Sequence, residues 1–186
     1  NSRHPLFISV VIPAYNEEAV LGACLRALSA QDYPGPCEVI VVDNASTDGT
    51  AAVARSWGAR VVSEPRRGIA CARQAGCAVA RGAILAGTDA DTVVPPNWLS
   101  AIARRFQEHP EATAAAGYFR LWDGPVLARV LTRVGDALSP AIARCLPWAW
   151  NFCGNNYAVR ASAFRAVGDP ARRSRRVPRP PHRARS

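Results

Sequence analysis

The chain is expected to be an α/β protein, a mainly parallel sheet flanked by helices. Three observations lead there. Short apolar, β-branched runs recur along the first two thirds of the sequence, and most are followed by a segment with helical features. The first two runs are continuous rather than alternating, as in strands buried on both faces. Polar clusters sit just after three of the runs, where open parallel sheets bind their ligands.

The elements follow in order. Residues 7–12 (FISVVI) read as a first strand, with Pro13 expected to end it. Residues 17–31 place Val20, Leu21, Cys24, Leu25 and Leu28 at helical spacing. Residues 38–42 (EVIVV) are a second strand ending at Asp43. Ser46, Thr47 and Asp48 supply N-cap chemistry for a helix over 48–57. Residues 59–63 (ARVVS) are a third strand, and Arg67-Gly68 turns into a helix over 69–81. Residues 83–87 (AILAG) are a fourth strand, ending at Thr88-Asp89-Ala90-Asp91. Pro95-Pro96 opens a helix to about 109, and 113–119 is a fifth strand. Repeated strand–helix alternation calls for right-handed crossovers. Tyr15-Asn16-Glu17, Asp43-Asn44 and Asp89-Ala90-Asp91 would then converge on one rim.

Residues 125–146 differ: Leu127, Val130, Leu131, Val134, Leu138, Ile142 and Cys145 recur at three- and four-residue steps, with Arg129, Arg133 and Arg144 between them. A helix packed on the sheet is the favoured reading, and an amphipathic helix on a membrane surface is the other. Trp148 and Trp150 follow, fitting a stacking wall or core packing equally.

Composition excludes several classes. The 186 residues suit one domain, and 49% hydrophobic with 20% charged residues is ordinary globular usage. All 23 basic residues are arginine, so a P-loop or a Schiff-base lysine is ruled out. The net charge of +9 is concentrated in residues 169–186, which carry +6, leaving +3 over 1–168. That body has no footprint of a nucleic-acid groove, so no nucleic-acid partner is expected. Six cysteines show no C-x2-C spacing, and reduced buried thiols in a cytosolic protein are the expectation. No signal peptide or long apolar run is seen, so a cytoplasmic location is expected, with peripheral contact at the inner membrane face as the variant. No G-x-G-x-x-G follows the first strand, which disfavours a dinucleotide-dependent oxidoreductase. The acidic Pro13–Glu18 loop disfavours a nucleotidyltransferase, which would want a Gly-rich basic loop there.

Asp89 and Asp91 flank one small residue at a strand end. Such a pair can offer oxygen ligands to Mg2+ or Mn2+ bridged to substrate phosphates.

Four motifs occur in order: Val11-Ile12-Pro13-Ala14-Tyr15-Asn16-Glu17-Glu18, Val41-Val42-Asp43-Asn44-Ala45-Ser46-Thr47-Asp48-Gly49-Thr50, Arg67-Gly68-x4-Arg73-x2-Gly76, and Asp89-Ala90-Asp91. Together they resemble the family 2 glycosyltransferases with the GT-A fold, a Rossmann-like sheet, over roughly residues 7–168. The resemblance implies an inverting transfer from a UDP- or GDP-linked sugar to a lipid, glycan or small acceptor. It implies that Pro13, Ala14, Tyr15, Glu17 and Asp43 cradle base and ribose, with Arg73 near the nucleotide. It places Asp89 and Ala90 on the nucleotide-sugar and Asp91 on the metal. Asn155, in Gly154-Asn155-Asn156, and Trp150 would border the donor sugar or acceptor. Asn16 and Asn44 could equally make side-chain turns, and Gly68 and Gly76 could serve packing alone.

The resemblance also implies a catalytic base in an acidic pair some twenty residues past Gly154. That window reads Pro170-Ala171-Arg172-Arg173-Ser174-Arg175-Arg176, so no catalytic residue is nominated. Residues 1–168 are expected to form the transferase domain, incomplete at its C-terminal side. Residues 169–186 are expected to be a disordered Arg/Pro-rich tail, read out of frame or following a truncation, with a native lipid- or RNA-binding tail as the other reading. A nucleotide-sugar-binding remnant without catalysis is the alternative function.

Overall fold

The computed structural model describes residues 5–117 and 156–168. The stretch 125–146, Trp150, Asn155 and the tail 169–186 lie outside them.

The elements are β1 (Ile8–Ala14), α1 (Leu21–Ser29), β2 (Cys37–Asp43), α2 (Thr50–Ser56), β3 (Arg60–Ser63), α3 (Ile69–Val79), β4 (Ile84–Thr88), α4 (Trp98–Glu108), β5 (Ala114–Ala116), β6 (Asn156–Arg160) and α5 (Ala161–Gly168). They build one six-stranded sheet of order β3-β2-β1-β4-β6-β5. β1, β2, β3 and β4 run parallel, and β6 pairs antiparallel with both β4 and β5.

Strand residues alternate between two cores. Ile8, Val10, Ile12, Val41, Ile84 and Ala86 face one side, where α1, α2 and α4 bring Leu21, Cys24, Leu25, Ala54, Leu99 and Phe106. Val11, Ile40, Val42 and Leu85 face the other, against α3 and α5. Both faces of the central strands are therefore dry, which is why their sequences are continuous apolar runs. Burying each Val, Ile or Leu fully contributes about 1.5–3 kcal/mol. The helix layer changes sides where the strand order reverses, between β1 and β4. One constant crossover hand produces this, and it opens a crevice at the carboxyl ends of those strands.

Several expectations need correction. Pro13 does not end β1, which continues to Ala14. Pairing with β4 stops at Val11↔Gly87, so Pro13 sits where the strand is paired on the β2 side only, a position that tolerates a missing N–H. The first helix begins at Leu21, not at 17. The Glu17 N–H is diverted to Thr50 Oγ1 at 2.8 Å, and Val20 is left 39% exposed. The fifth strand is Ala114–Ala116, and β6 is a strand that no apolar run in the sequence announces. β6 carries polar residues at both ends, and each finds a partner only on folding. Trp98 Nε1 donates to Asn156 Oδ1 at 2.9 Å, and Arg160 donates to the carbonyls of Ala112 and Phe106. Of the described cysteines, Cys24 and Cys77 are buried, whereas Cys37 is exposed and Cys71 half-buried; all are free thiols.

α4 lacks a side-chain cap from Asn97. Gln31, just beyond α1, replaces it: its Oε1 accepts from Leu99 N at 2.9 Å and its Nε2 donates to Pro95 O at 2.8 Å. The loop that follows β4 is thereby tied to α1.

Candidate active site

Three strand ends form the rim. Ala14 is paired with Asp43, so the loop after β1 and the loop after β2 start side by side. Backbone and side-chain bonds stitch them together. Asn16 N donates to Ser46 Oγ at 3.1 Å, Thr47 N donates to Asn16 Oδ1 at 2.8 Å, and Gly49 N donates to Glu18 Oε2 at 2.8 Å. Glu18 N donates to Asp48 Oδ2 at 3.1 Å. Asn16 takes φ 54°, a left-handed conformation that asparagine tolerates well.

Asn44 ties the second loop to the third. Its Nδ2 donates to the carbonyls of Glu64 and Arg66, both at 2.8 Å, and its Oδ1 accepts from Gly68 N at 2.8 Å. Both asparagines thus cross-link distant loops rather than shape local turns. Gly68 has φ 129° and open space around it, so its glycine serves conformation. Gly76 serves packing: a Cβ there would lie 2.4 Å from Val11 Cγ1. Glu64 is buried, and its carboxyl is held down at about 2 by the Arg66 side chain and N–H.

The acidic residues come together as expected from the topology. Asp43 Oδ1 accepts from Ser46 N at 3.1 Å. Glu17 is half-buried, and its carboxyl is raised above the usual value first by burial, then by Asp91, Asp48 and Asp89. The Cys24 thiol beneath is pushed up to about 12 by burial, then by Asp91 and Asp89. Asp91 is exposed on the rim. Asp89 is anchored: Arg73 Nη2, from α3, donates to its Oδ1 at 2.8 Å. Ala14 and Ala90 are in the apolar core, so only their backbones could meet a ligand. The Ala14 carbonyl already accepts from Asn44 N at 2.8 Å.

Two ring contacts at the site are not visible in the sequence pattern. Arg67 stacks its guanidinium 3.8 Å from the centroid of the Tyr15 ring, and Tyr15 is 42% exposed. Tyr157, on β6, lies under Arg73, with 5.8 Å from guanidinium to ring centroid. The glycine at 87, facing a tyrosine across the β4–β6 pair, is the only local hint of the second.

Among the described residues no group of three His, Cys, Asp or Glu side chains could hold a metal. The all-oxygen, crowded acidic rim fits a hard cation held by one or two carboxylates, the rest of its shell coming from substrate phosphates and water.

The family model "Glycosyl transferase family 2" matches residues 9–168. The chain belongs to glycosyl transferase family 2. Glycosyltransferase AglE of Haloferax volcanii is 39% identical over 100 residues, covering 50% of this chain and 33% of that protein. The mannosyltransferase PcManGT from Pyrobaculum calidifontis, solved with GDP-Man and Mn2+, superposes with TM-score 0.71 at 29% identity, over 90% of this chain and 48% of that one. Glucosyl-3-phosphoglycerate synthase from Mycobacterium tuberculosis, solved with Mn2+, UDP and glucosyl-3-phosphoglycerate, gives TM-score 0.60 at 26% identity, over 84% and 57%. These likenesses carry the GT-A fold expected from the motifs. The chain spans between a third and somewhat over half of the length of these relatives. Among the described residues no helix is long and apolar enough to cross a membrane.

Proposed function

We propose that residues 1–168 form the donor-binding domain of a metal-dependent, inverting glycosyltransferase using a UDP- or GDP-linked sugar, and that 169–186 are a tail outside that domain. The acidic rim at the reversal of strand order, with Asp89 clamped by Arg73, carries this reading. Relatives solved with GDP-Man and Mn2+, or with UDP and Mn2+, support it.

In this reading Asp43 accepts a ring N–H of the base, and the Tyr15 face, reached from the Pro13–Glu17 loop, offers a stacking surface. Asp89 faces the ribose, its orientation held by Arg73. Asp91, with Glu17 beside it, would hold Mg2+ or Mn2+. A bound cation would neutralise charge building on the departing nucleoside diphosphate. Glu17 is raised first by burial and then by Asp91, Asp48 and Asp89, and a cation among these carboxylates would relieve that second part. Trp150 and Asn155 are assigned to the donor-sugar or acceptor side, and the acceptor is a lipid, glycan or small molecule. We place the domain in the cytoplasm, with peripheral membrane contact as the variant.

A second reading, nucleotide-sugar binding without transfer, is favoured by one observation. Residues 170–176 are arginine-rich where the family pattern expects an acidic pair, so no general base is assigned.

Calorimetric titration with UDP and with GDP, each with and without Mn2+, tests the donor site. Metal-dependent binding that disappears in Asp91→Ala is the expected result. A folded chain that binds neither nucleotide refutes it. Turnover of a nucleotide sugar by the same chain separates the two readings.

A further inference from the structure

We propose that Tyr157 is a positioning residue: its ring holds the Arg73 guanidinium and, through it, aims the Asp89 carboxylate. The proposal builds on the donor-site reading and adds a residue to it.

Gly87 and Tyr157 are direct partners in the antiparallel β4–β6 pair. A Cβ at 87 would lie 2.2 Å from both Cε1 and Cζ of the tyrosine ring. The ring therefore lies across β4 and fills the volume that a side chain at 87 would have taken. It does so on the α3 face, the side of Leu85 and Val159. There it meets Arg73, whose guanidinium lies 5.8 Å from the ring centroid, within cation–π reach. Arg73 Nη2 then donates to Asp89 Oδ1 at 2.8 Å. The contacts run from Gly87 to Tyr157, Arg73 and Asp89, across three elements.

The ion pair alone would aim Asp89 poorly. Its side chains are 24% and 33% exposed, and such pairs lose much of their attraction to solvent screening and to the entropy of long side chains. A ring seated against β4 restricts the guanidinium before any ligand arrives, so less ordering is left for the binding step. Bulk placed at residue 87 could fill the same space but would present no π face to Arg73. Burial also pushes the phenol up to about 12, so it stays neutral and does not compete with Asp89 for the cation.

The test compares side chains of similar volume at 157. Tyr157→Phe keeps the π face; Tyr157→Leu and Tyr157→Met keep apolar bulk without it. A fluorinated phenylalanine at 157 keeps the ring shape and weakens the π face. Two readouts are taken on the full chain: the Arg73 Nε–Hε resonance by 15N NMR, assigned by its loss in Arg73→Lys, and the Mn2+-dependent affinity for UDP and GDP. The expected result is wild-type behaviour for Tyr157→Phe. In the Leu, Met and fluorinated forms the Arg73 signal should shift and broaden, and affinity should fall about tenfold. A wild-type Arg73 signal in any folded variant lacking the π face overturns the proposal. If the wild-type chain binds neither nucleotide, the donor-site reading fails, and the Arg73 signal still decides the positioning role.

Discussion

Gly76→Ala and Gly22→Ala make the same chemical change in two helices and should have opposite effects. Gly76 lies in α3, and a Cβ there would sit 2.4 Å from Val11 Cγ1 and 2.8 Å from Val42 Cγ2. Carbon atoms prefer about 3.5–4.0 Å, so the helix must lift by about 1 Å or two valines must turn. Both valines are fully buried and stiff at χ1, so turning is costly. Two such clashes place the cost in the upper part of the usual overpacking range, about 2–3 kcal/mol, while replacing a helical glycine by alanine returns about 0.8–1 kcal/mol. The net is a loss of about 1–2 kcal/mol, or about 3–6 °C in Tm for a domain of this size. Gly22, in α1, meets only Trp57 Nε1 at 4.0 Å, so Gly22→Ala should stabilise by about 0.5 kcal/mol. Lifting α3 would also draw Arg73, one turn earlier, away from Asp89, so Gly76→Ala should weaken nucleotide binding as well. Thermal unfolding followed by circular dichroism measures the first effect and calorimetric titration the second. A Gly76→Ala chain as stable as the parent would refute the close approach of α3 to β1 and β2.

Asn44→Ala removes the side chain that satisfies the Glu64 and Arg66 carbonyls and the Gly68 N–H, and should cost about 3 kcal/mol in urea unfolding. Gln31→Ala should cost about 1 kcal/mol in the same assay, through loss of the replacement cap on α4. Glu64 has a carboxyl depressed from 4.5 to about 2, so its stabilising contribution is complete above pH 4.5 and is lost as pH falls from there through 2. The stability difference between wild type and Glu64→Gln should accordingly be constant above about pH 5 and shrink toward pH 2. A difference that grows on acidification would contradict the Arg66–Glu64 pairing.

The buried strands and the rim carboxylates were legible in the sequence because their signals are local. Ile8–Ile12 and Ile40–Val42 announce themselves as apolar runs, and Asp43, Asp89 and Asp91 stand at or just past strand ends. The parallel topology then follows from the alternation with helices, and it brings those carboxylates to one rim. The four ordered motifs carried the family as well, because each is a short contiguous stretch of sequence.

The remainder depended on partners far away in the chain. Pro13 stays inside β1 because β4 withdraws beyond Val11. Asn16 and Asn44 look like turn residues until loops from other strands arrive beside them. β6 is polar at both ends and becomes a strand when Trp98 and the carbonyls of Ala112 and Phe106 meet Asn156 and Arg160. Tyr157 reaches Arg73 because β6 inserts antiparallel beside Gly87, a pairing between residues seventy positions apart. Periodicity records which face of an element is dry. It carries no information about which distant side chain will occupy a gap, since that is set by packing after the sheet has assembled.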